Sequence, residues 1–324
     1  MSSRIYVVLI AVLLAIGAIY WLVSNRAMPT STPRGVRVKP TAVDFNGDRR
    51  SDWAVVRETD GALTWFVSNQ GGQVTTAWGQ RGDRLVPADY DGDGRTDLAV
   101  WRAGTFYVQP SSGRETTQAW GQADDDPMVV GDYDGDGRAD FAVYRAGAPS
   151  RWFILKSSDG KSTEQPFGQT GDVPAPGDYD GDGRVDIAVK RAPSGDGAAT
   201  FHLLQSTAGL ADVPWGLGAD VVVTGDYDGD GKADIAVARH EGAALVFYVR
   251  RSSDTTMLTQ PWGQQGDTPA PGDYDGDRRT DFAVWRPAST NGAGTFYVLK
   301  SGGGELAQAW GQRDDVLPAA VAVR

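Results

Sequence analysis

The chain has 324 residues, a formal net charge of −11, no cysteine and two histidines, His202 and His240. Lack of cysteine excludes disulfides, thiolate zinc sites, cysteine nucleophiles and CxxC redox chemistry, and two histidines exclude a histidine-rich metal centre. The negative charge argues against nucleic acid as a partner, while 42 glycines, 17 prolines and 11 tryptophans describe a turn-rich, folded chain with ample aromatic bulk for a core.

Residues 1 to 4 form a short tail. Residues 5 to 23, IYVVLIAVLLAIGAIYWLV, are uncharged and mostly apolar, and as a helix they span roughly 28 Å, close to a bilayer core. They predict one transmembrane helix that acts as a signal anchor. A cleaved signal peptide competes, with small residues at Ala15 to Ala18, but the apolar run continues through Ile19 to Val23 beyond any such cut. The positive-inside count sets Arg4 and the amino terminus against Arg26, Arg34, Arg37 and Lys39, and taken alone it puts the C-terminal bulk in the cytoplasm. Long domains translocate regardless of such charges, and the calcium argument below points outward. Residues 24 to 39, SNRAMPTSTPRGVRVK, carry no acid and read as a linker to a domain over 40 to 324.

From Asp44 a pattern D-x-D/N-G-D-x-x-x-D occurs six times, starting at Asp44, Asp89, Asp132, Asp178, Asp226 and Asp273, at spacings of 45, 43, 46, 48 and 47. Each copy leads into an alternating run such as LAVWR or FAVYR, which has the period and residue types of a strand. The run ends in Arg57, Arg102, Arg145, Arg191, Arg239 or Arg286. A variable loop, an aromatic β run such as TFYVQ, a Ser/Gly/Asn/Asp turn and a W/F-G-x-x-x-D motif complete the unit. Four short strands per unit of about 46 residues, with no helical period, predict an all-β fold: a β-propeller of six four-stranded blades. After the sixth motif, residues 316 to 324 resemble the start of another unit but carry Val321 in place of the first loop Asp. They are either a closing strand, the favoured reading, or the stub of a seventh blade.

In the acidic loops, Asp-x-Asp-x-Asp spacing brings alternate carboxylates to one side of a tight turn, and a further Asp at position nine closes an oxygen cage of the kind Ca²⁺ takes. The candidate ligands are Asp44, Asn46, Asp48 and Asp52; Asp89, Asp91, Asp93 and Asp97; Asp132, Asp134, Asp136 and Asp140; Asp178, Asp180, Asp182 and Asp186; Asp226, Asp228, Asp230 and Asp234; and Asp273, Asp275, Asp277 and Asp281. Position twelve is apolar and a strand follows, which excludes an EF-hand. The first and last loops depart from the pattern, with Asn46 for an Asp and with Arg49 and Arg278 where the others have glycine. Six Ca²⁺, one per loop, would move the formal charge from −11 to about +1.

These DxDGDGxxD loops resemble the FG-GAP and VCBS repeats of integrin α-subunit propellers and many bacterial surface proteins, over residues 40 to about 315. The resemblance implies a calcium-stabilised propeller outside the cytoplasm, acting in adhesion or in binding glycans or proteins. Affinity supports that location: sites with Kd near 10⁻⁴ M contribute about 1.4 kcal/mol each at 1 mM Ca²⁺ and almost nothing at cytosolic levels. The expectation is thus a single-pass, membrane-anchored protein with an extracytoplasmic propeller, a binding or adhesion module for a protein or glycan ligand. It is not read as an enzyme, because no cluster of odd polar residues interrupts the repeat. A polysaccharide-acting enzyme and a scaffold subunit of an envelope complex are the rivals.

Arg81, Gly82 and Asp83 spell RGD, but they fill a slot that reads TGD or QGD in other units, so the repeat explains them. The strand-end arginines are expected to hydrogen-bond a nearby carboxylate or carbonyl, and each WG tryptophan to wedge between blades. His202 reads as core and His240 as a loop-entrance residue without a catalytic companion. Strand alternation puts the acidic loops on one face with the SSG-type turns. The other face carries the variable loops, near residues 58 to 63, 146 to 150, 192 to 199, 240 to 244 and 287 to 294, where a ligand would be distinguished.

Overall fold

A strand with alternate apolar residues must lay them against another layer, and among the described residues only sheets are present to do so. The computed structural model describes residues 43–69, 71–193, 197–289 and 292–318. The anchor helix and linker expected before Val43 lie outside these residues. No helix among the described residues is long and apolar enough to cross a membrane.

Six antiparallel sheets follow in chain order. Blade 1 contains β1 (Trp53–Thr59), β2 (Ala62–Asn69) and β3 (Gly72–Gln80). Blade 2 contains β4 (Arg84–Leu85), β5 (Leu98–Arg102), β6 (Thr105–Gln109) and β7 (Thr116–Ala119). Blade 3 contains β8 (Phe141–Arg145), β9 (Arg151–Leu155) and β10 (Ser162–Pro166). Blade 4 contains β11 (Val173–Pro174), β12 (Ile187–Arg191), β13 (Ala198–Gln205) and β14 (Gly209–Leu217). Blade 5 contains β15 (Val221–Val222), β16 (Ile235–Glu241), β17 (Ala244–Arg250) and β18 (Met257–Gln264). Blade 6 contains β19 (Thr268–Pro269), β20 (Phe282–Arg286), β21 (Thr295–Leu299) and β22 (Glu305–Ala309). Blades 2, 4, 5 and 6 are four-stranded, with a two-residue inner strand first.

In blades 1 and 3 the inner strand shrinks to a single bridge, Val316 to Val56 and Asp126 to Tyr144. Blade 3 has a local cause. Asp125 and Asp132 are seven positions apart where Asp83 and Asp89 are six, and the Asp126 carboxylate takes the Met128 N–H. In blade 1 the bridge comes from the far end of the chain. Val316 exchanges both backbone hydrogen bonds with Val56, at 2.8 and 2.9 Å. The C-terminal segment therefore closes the first blade, and the described residues form six blades.

Blades bury their faces against one another. One apolar cluster joins Val223, Phe247 and Val249 of blade 5 to Phe282 and Val284 of blade 6, and another joins Val55 of blade 1 to Ala283, Trp285 and Phe296 of blade 6. The WG tryptophans lie between blades as expected: Trp120 Nε1 donates to Phe153 O at 3.1 Å, and Trp310 Nε1 to Phe66 O at 3.1 Å across the closure. Two expected variable loops prove to be tight hairpins. Strands β1 and β2 pair through Thr59 and Ala62 around Asp60–Gly61, both with positive φ (51° and 85°), and β16 and β17 pair through Glu241 and Ala244.

Candidate metal centres

In blades 2 to 6 each acidic loop joins the inner strand to the next strand out, and many of the loop's backbone donors are taken by its own carboxylates. In blade 2, Asp89 Oδ1 accepts the Gly92 N–H at 2.6 Å and Oδ2 the Gly94 N–H at 2.8 Å. Asp91 Oδ1 takes the Asp93 N–H and Asp93 Oδ1 the Arg95 N–H, at 3.2 and 2.9 Å. Asp97 closes the loop from the strand side: Oδ2 accepts the Tyr90 N–H at 2.8 Å and Oδ1 the Ser111 N–H at 2.7 Å. The bends require left-handed backbone at Gly92 (φ 79°) and Gly94 (φ 82°), and Arg49 and Arg278 carry that strain (φ 65° and 69°) where they replace the second glycine.

The loops form a closed ring. The carbonyl of the first Asp of each loop accepts a hydrogen bond from the residue before the ninth-position Asp of the next, as from Ala139 to Asp89 at 2.7 Å. Ser51 N–H to Asp273 O, at 2.6 Å, joins the last loop to the first.

Five groups of carboxylates converge with oxygens all within 4.8 Å of one another: Asp89, Asp91 and Asp97; Asp132, Asp134 and Asp136; Asp178, Asp180 and Asp186; Asp226, Asp228 and Asp230; and Asp273, Asp275 and Asp281. Asp93, Asp182 and Asp277 are not in the groups of blades 2, 4 and 6, nor Asp140 and Asp234 in those of blades 3 and 5. Asp44, Asn46, Asp48 and Asp52 are not among these groups; there the Asn46 amide donates to Asp48 Oδ2 at 3.1 Å, placing a donor where the other loops have an acceptor. Convergence of three carboxylates is thus seen in five of the six loops among the described residues.

Electrostatics fit a cation. Burial, with neighbouring carboxylates adding to it, raises Asp97, Asp140, Asp186, Asp234 and Asp281 to about 6 and Asp52 to about 7. Burial likewise raises Asp89, Asp178 and Asp273. Asp180 Oδ1 is a buried oxygen with no hydrogen-bond partner, inside one of the converging groups. An all-oxygen donor set, crowded anions and an orphaned acceptor suit a hard divalent cation such as Ca²⁺.

Sequence spacing did not reveal a second set of supports, the hydroxyls of the SSG-type turns. Ser111 donates to Asp93 Oδ2 and Ser112 to Asp91 Oδ2, both at 2.5 Å. These bonds place turn and acidic loop on one face, as strand alternation required. A doubled hydroxyl at the turn was the available signal.

On the opposite face, each strand-end arginine clasps the aspartate of a W/F-G-x-x-x-D connection. Arg102 meets Asp83 at 2.6 and 2.8 Å, and Arg57 meets Asp315 at 2.7 and 2.9 Å across the closure. Hydrogen bonding to the carboxylate raises the pKa of each guanidinium, so the arginines stay charged. Five of the arginines also lie over an aromatic ring, such as Arg57 over Phe66 at 4.3 Å. Asp83 is the acid of the RGD sequence, and its side chain is 0% exposed, out of reach of an adhesive partner. His202 replaces the aromatic beneath Arg191 and is not core: it is half-buried, with Nδ1 at 2.6 Å from the exposed Asp212. His240 is exposed within β16.

Fold and loops together define a six-bladed propeller with an acidic turn in every blade. The FG-GAP-like repeat matches residues 44–100, 89–143, 132–189 and 226–284, more than half of the chain, and the chain belongs to that family. No curated protein matches it.

Proposed function

We propose that the chain is a calcium-stabilised binding module, held at a membrane by residues 5 to 23, with the propeller on the extracytoplasmic side and a protein or glycan ligand engaged without catalysis. The observation that carries the calcium part is the convergence of three carboxylates in each of five loops. Bound there, Ca²⁺ would supply positive charge to offset the crowded carboxylates of the loop. The converging aspartates would hold it through side-chain oxygens.

The ligand is assigned to the opposite face, where the longer loops of blades 3, 4 and 6 depart from the repeat. Those loops vary while the Arg–Asp clasps beneath them repeat, an arrangement that changes recognition without changing the scaffold. The test is a glycan array probed with the full chain in 1 mM Ca²⁺, beside a variant in which residues 146 to 150 and 287 to 294 are replaced by two-residue hairpins. Calcium-dependent binding lost in the variant supports the reading. Binding retained in the variant, or polymer cleavage by the parent chain, contradicts it. A reporter fused after Arg324 that is active only in the cytoplasm would overturn the orientation.

A further inference from the structure

We infer that the turn hydroxyls facing the acidic loops set the order in which those loops take up calcium, an inference that rests on the calcium reading above. In blades 2 to 5 the turn between the third and fourth strands supplies two hydroxyls, each donating to a different carboxylate of the acidic loop, at least one of them always a member of the converging group. Besides Ser111 and Ser112, Ser157 donates to Asp136 at 2.9 Å and Ser158 to Asp134 at 2.5 Å. Ser206 and Thr207 reach Asp182 and Asp180, both at 2.6 Å, and Ser252 and Ser253 reach Asp230 and Asp228 at 2.8 and 2.7 Å.

The recipients are always the third and fifth loop positions. The fifth is solvent-exposed, and besides the hydroxyl its carboxylate has one anchor, the backbone N–H two residues on, as Asp93 Oδ1 has from Arg95, so the hydroxyl fixes the second oxygen. A ligand oxygen fixed before the ion arrives loses less freedom on binding, and the gain appears as affinity. The hydroxyl leaves the carboxylate lone pairs in excess of one bond for the metal.

The other two blades break the pattern in graded fashion. Blade 6 keeps the first hydroxyl, Ser301 donating to Asp277 at 2.5 Å, but has Gly302 in place of the second. Blade 1 has Gly71 there, and its Asn46 amide occupies Asp48 instead. Blades 2 to 5 therefore load first, blade 6 loads at higher calcium, and blade 1 stays free of metal.

The glycine of blade 6 offers a gain-of-function test. A Cβ at Gly302 would lie 3.8 Å from Asp277 Oδ2, an ordinary contact, so a serine fits. Native mass spectrometry of the full chain, titrated with Ca²⁺ from the chelated state, is expected to show four ions bound in one step. A fifth should follow at about tenfold higher free calcium, the effect of one charge-assisted hydrogen bond. Gly302→Ser should bring the fifth ion into the first step, and Ser112→Ala should move one of the four into the weaker step. The melting temperature in chelator is the control: hydroxyls that position ligands leave it unchanged, whereas purely structural ones shift it. Five or six equivalent ions, with both variants silent, would overturn the inference while leaving the calcium reading intact. No bound ion at any concentration would remove the calcium reading itself.

Discussion

Arg102 ends β5 and Asp83 lies in the connection between β3 and β4; they meet where one blade hands the chain to the next, the aspartate 0% exposed and the arginine side chain 34%. Removing the arginine strands a buried carboxylate that keeps only the Gln80 N–H at 2.8 Å. Arg102→Ala is expected to cost about 3 kcal/mol in urea denaturation, while Arg81→Ala, which breaks only the exposed contact to Glu58, leaves stability unchanged. The loop aspartates give a pH signature. With Asp97, Asp140, Asp186, Asp234 and Asp281 raised to about 6 and Asp52 to about 7, from an ordinary 3.8, the metal-free folded chain holds more protons than the unfolded chain between those values. Stability in chelator therefore falls as pH rises from about 4 to 7. Saturating calcium replaces the protons of the blade 2 to 6 loops and reverses the slope, which melting curves across pH 4.5 to 7.5 with and without chelator would reveal; parallel slopes would contradict it. The loop acids were legible because six copies fix their spacing. The turn hydroxyls were not, because Ser112 is 21 residues from the Asp91 it binds and only the folded blade brings them together. His202 was misplaced for a similar reason: an aromatic slot in a strand reads as core, yet its ring is half-buried and meets the exposed Asp212.

Strands tell a different story from side chains. The runs ending in arginine and the aromatic runs appear as the second and third strands of every blade, because alternation and β-branched or aromatic residues identify them locally. The inner strands were harder, since β4, β11, β15 and β19 are two residues each and two carry proline. The extra residue between Asp125 and Asp132 was visible in the spacing, but its consequence, loss of the inner ladder in blade 3, depends on Asp126 capping Met128. Between blades the tryptophan wedge makes a measurable difference. Phe167 occupies that slot in blade 3 and lacks the indole donor, so the position tolerates phenylalanine. Trp120→Phe, which loses the bond to Phe153 O, is expected to cost about 1 to 2 kcal/mol by urea denaturation and to leave the fold intact.

Across the whole propeller, three sets of contacts repeat around the ring and all three cross the closure: Arg57 to Asp315, Trp310 to Phe66, and Ser51 to Asp273. The closing role of the residues after the sixth WG motif was readable from their likeness to a unit start, and Val316 against Val56 is its structural counterpart. Deleting residues 310 to 324 removes the first two links and leaves blade 1 without its inner strand. Hydrogen exchange should then show lost protection in β1 and β20 before the blades opposite, whereas uniform protection would mean that closure is dispensable. Membrane attachment and the side on which the propeller sits rest on residues 5 to 39, outside the described residues, and on the calcium argument. That argument turns on one measurement: thermal melting of the full chain across free Ca²⁺, with bound ions counted by native mass spectrometry. Four ions near 10⁻⁴ M and a weaker fifth should contribute about 6 kcal/mol at 1 mM calcium and raise the melting temperature by on the order of 10 °C. A melting curve that ignores calcium, with no ion bound, would reduce the acidic loops to polar turns and contradict the account.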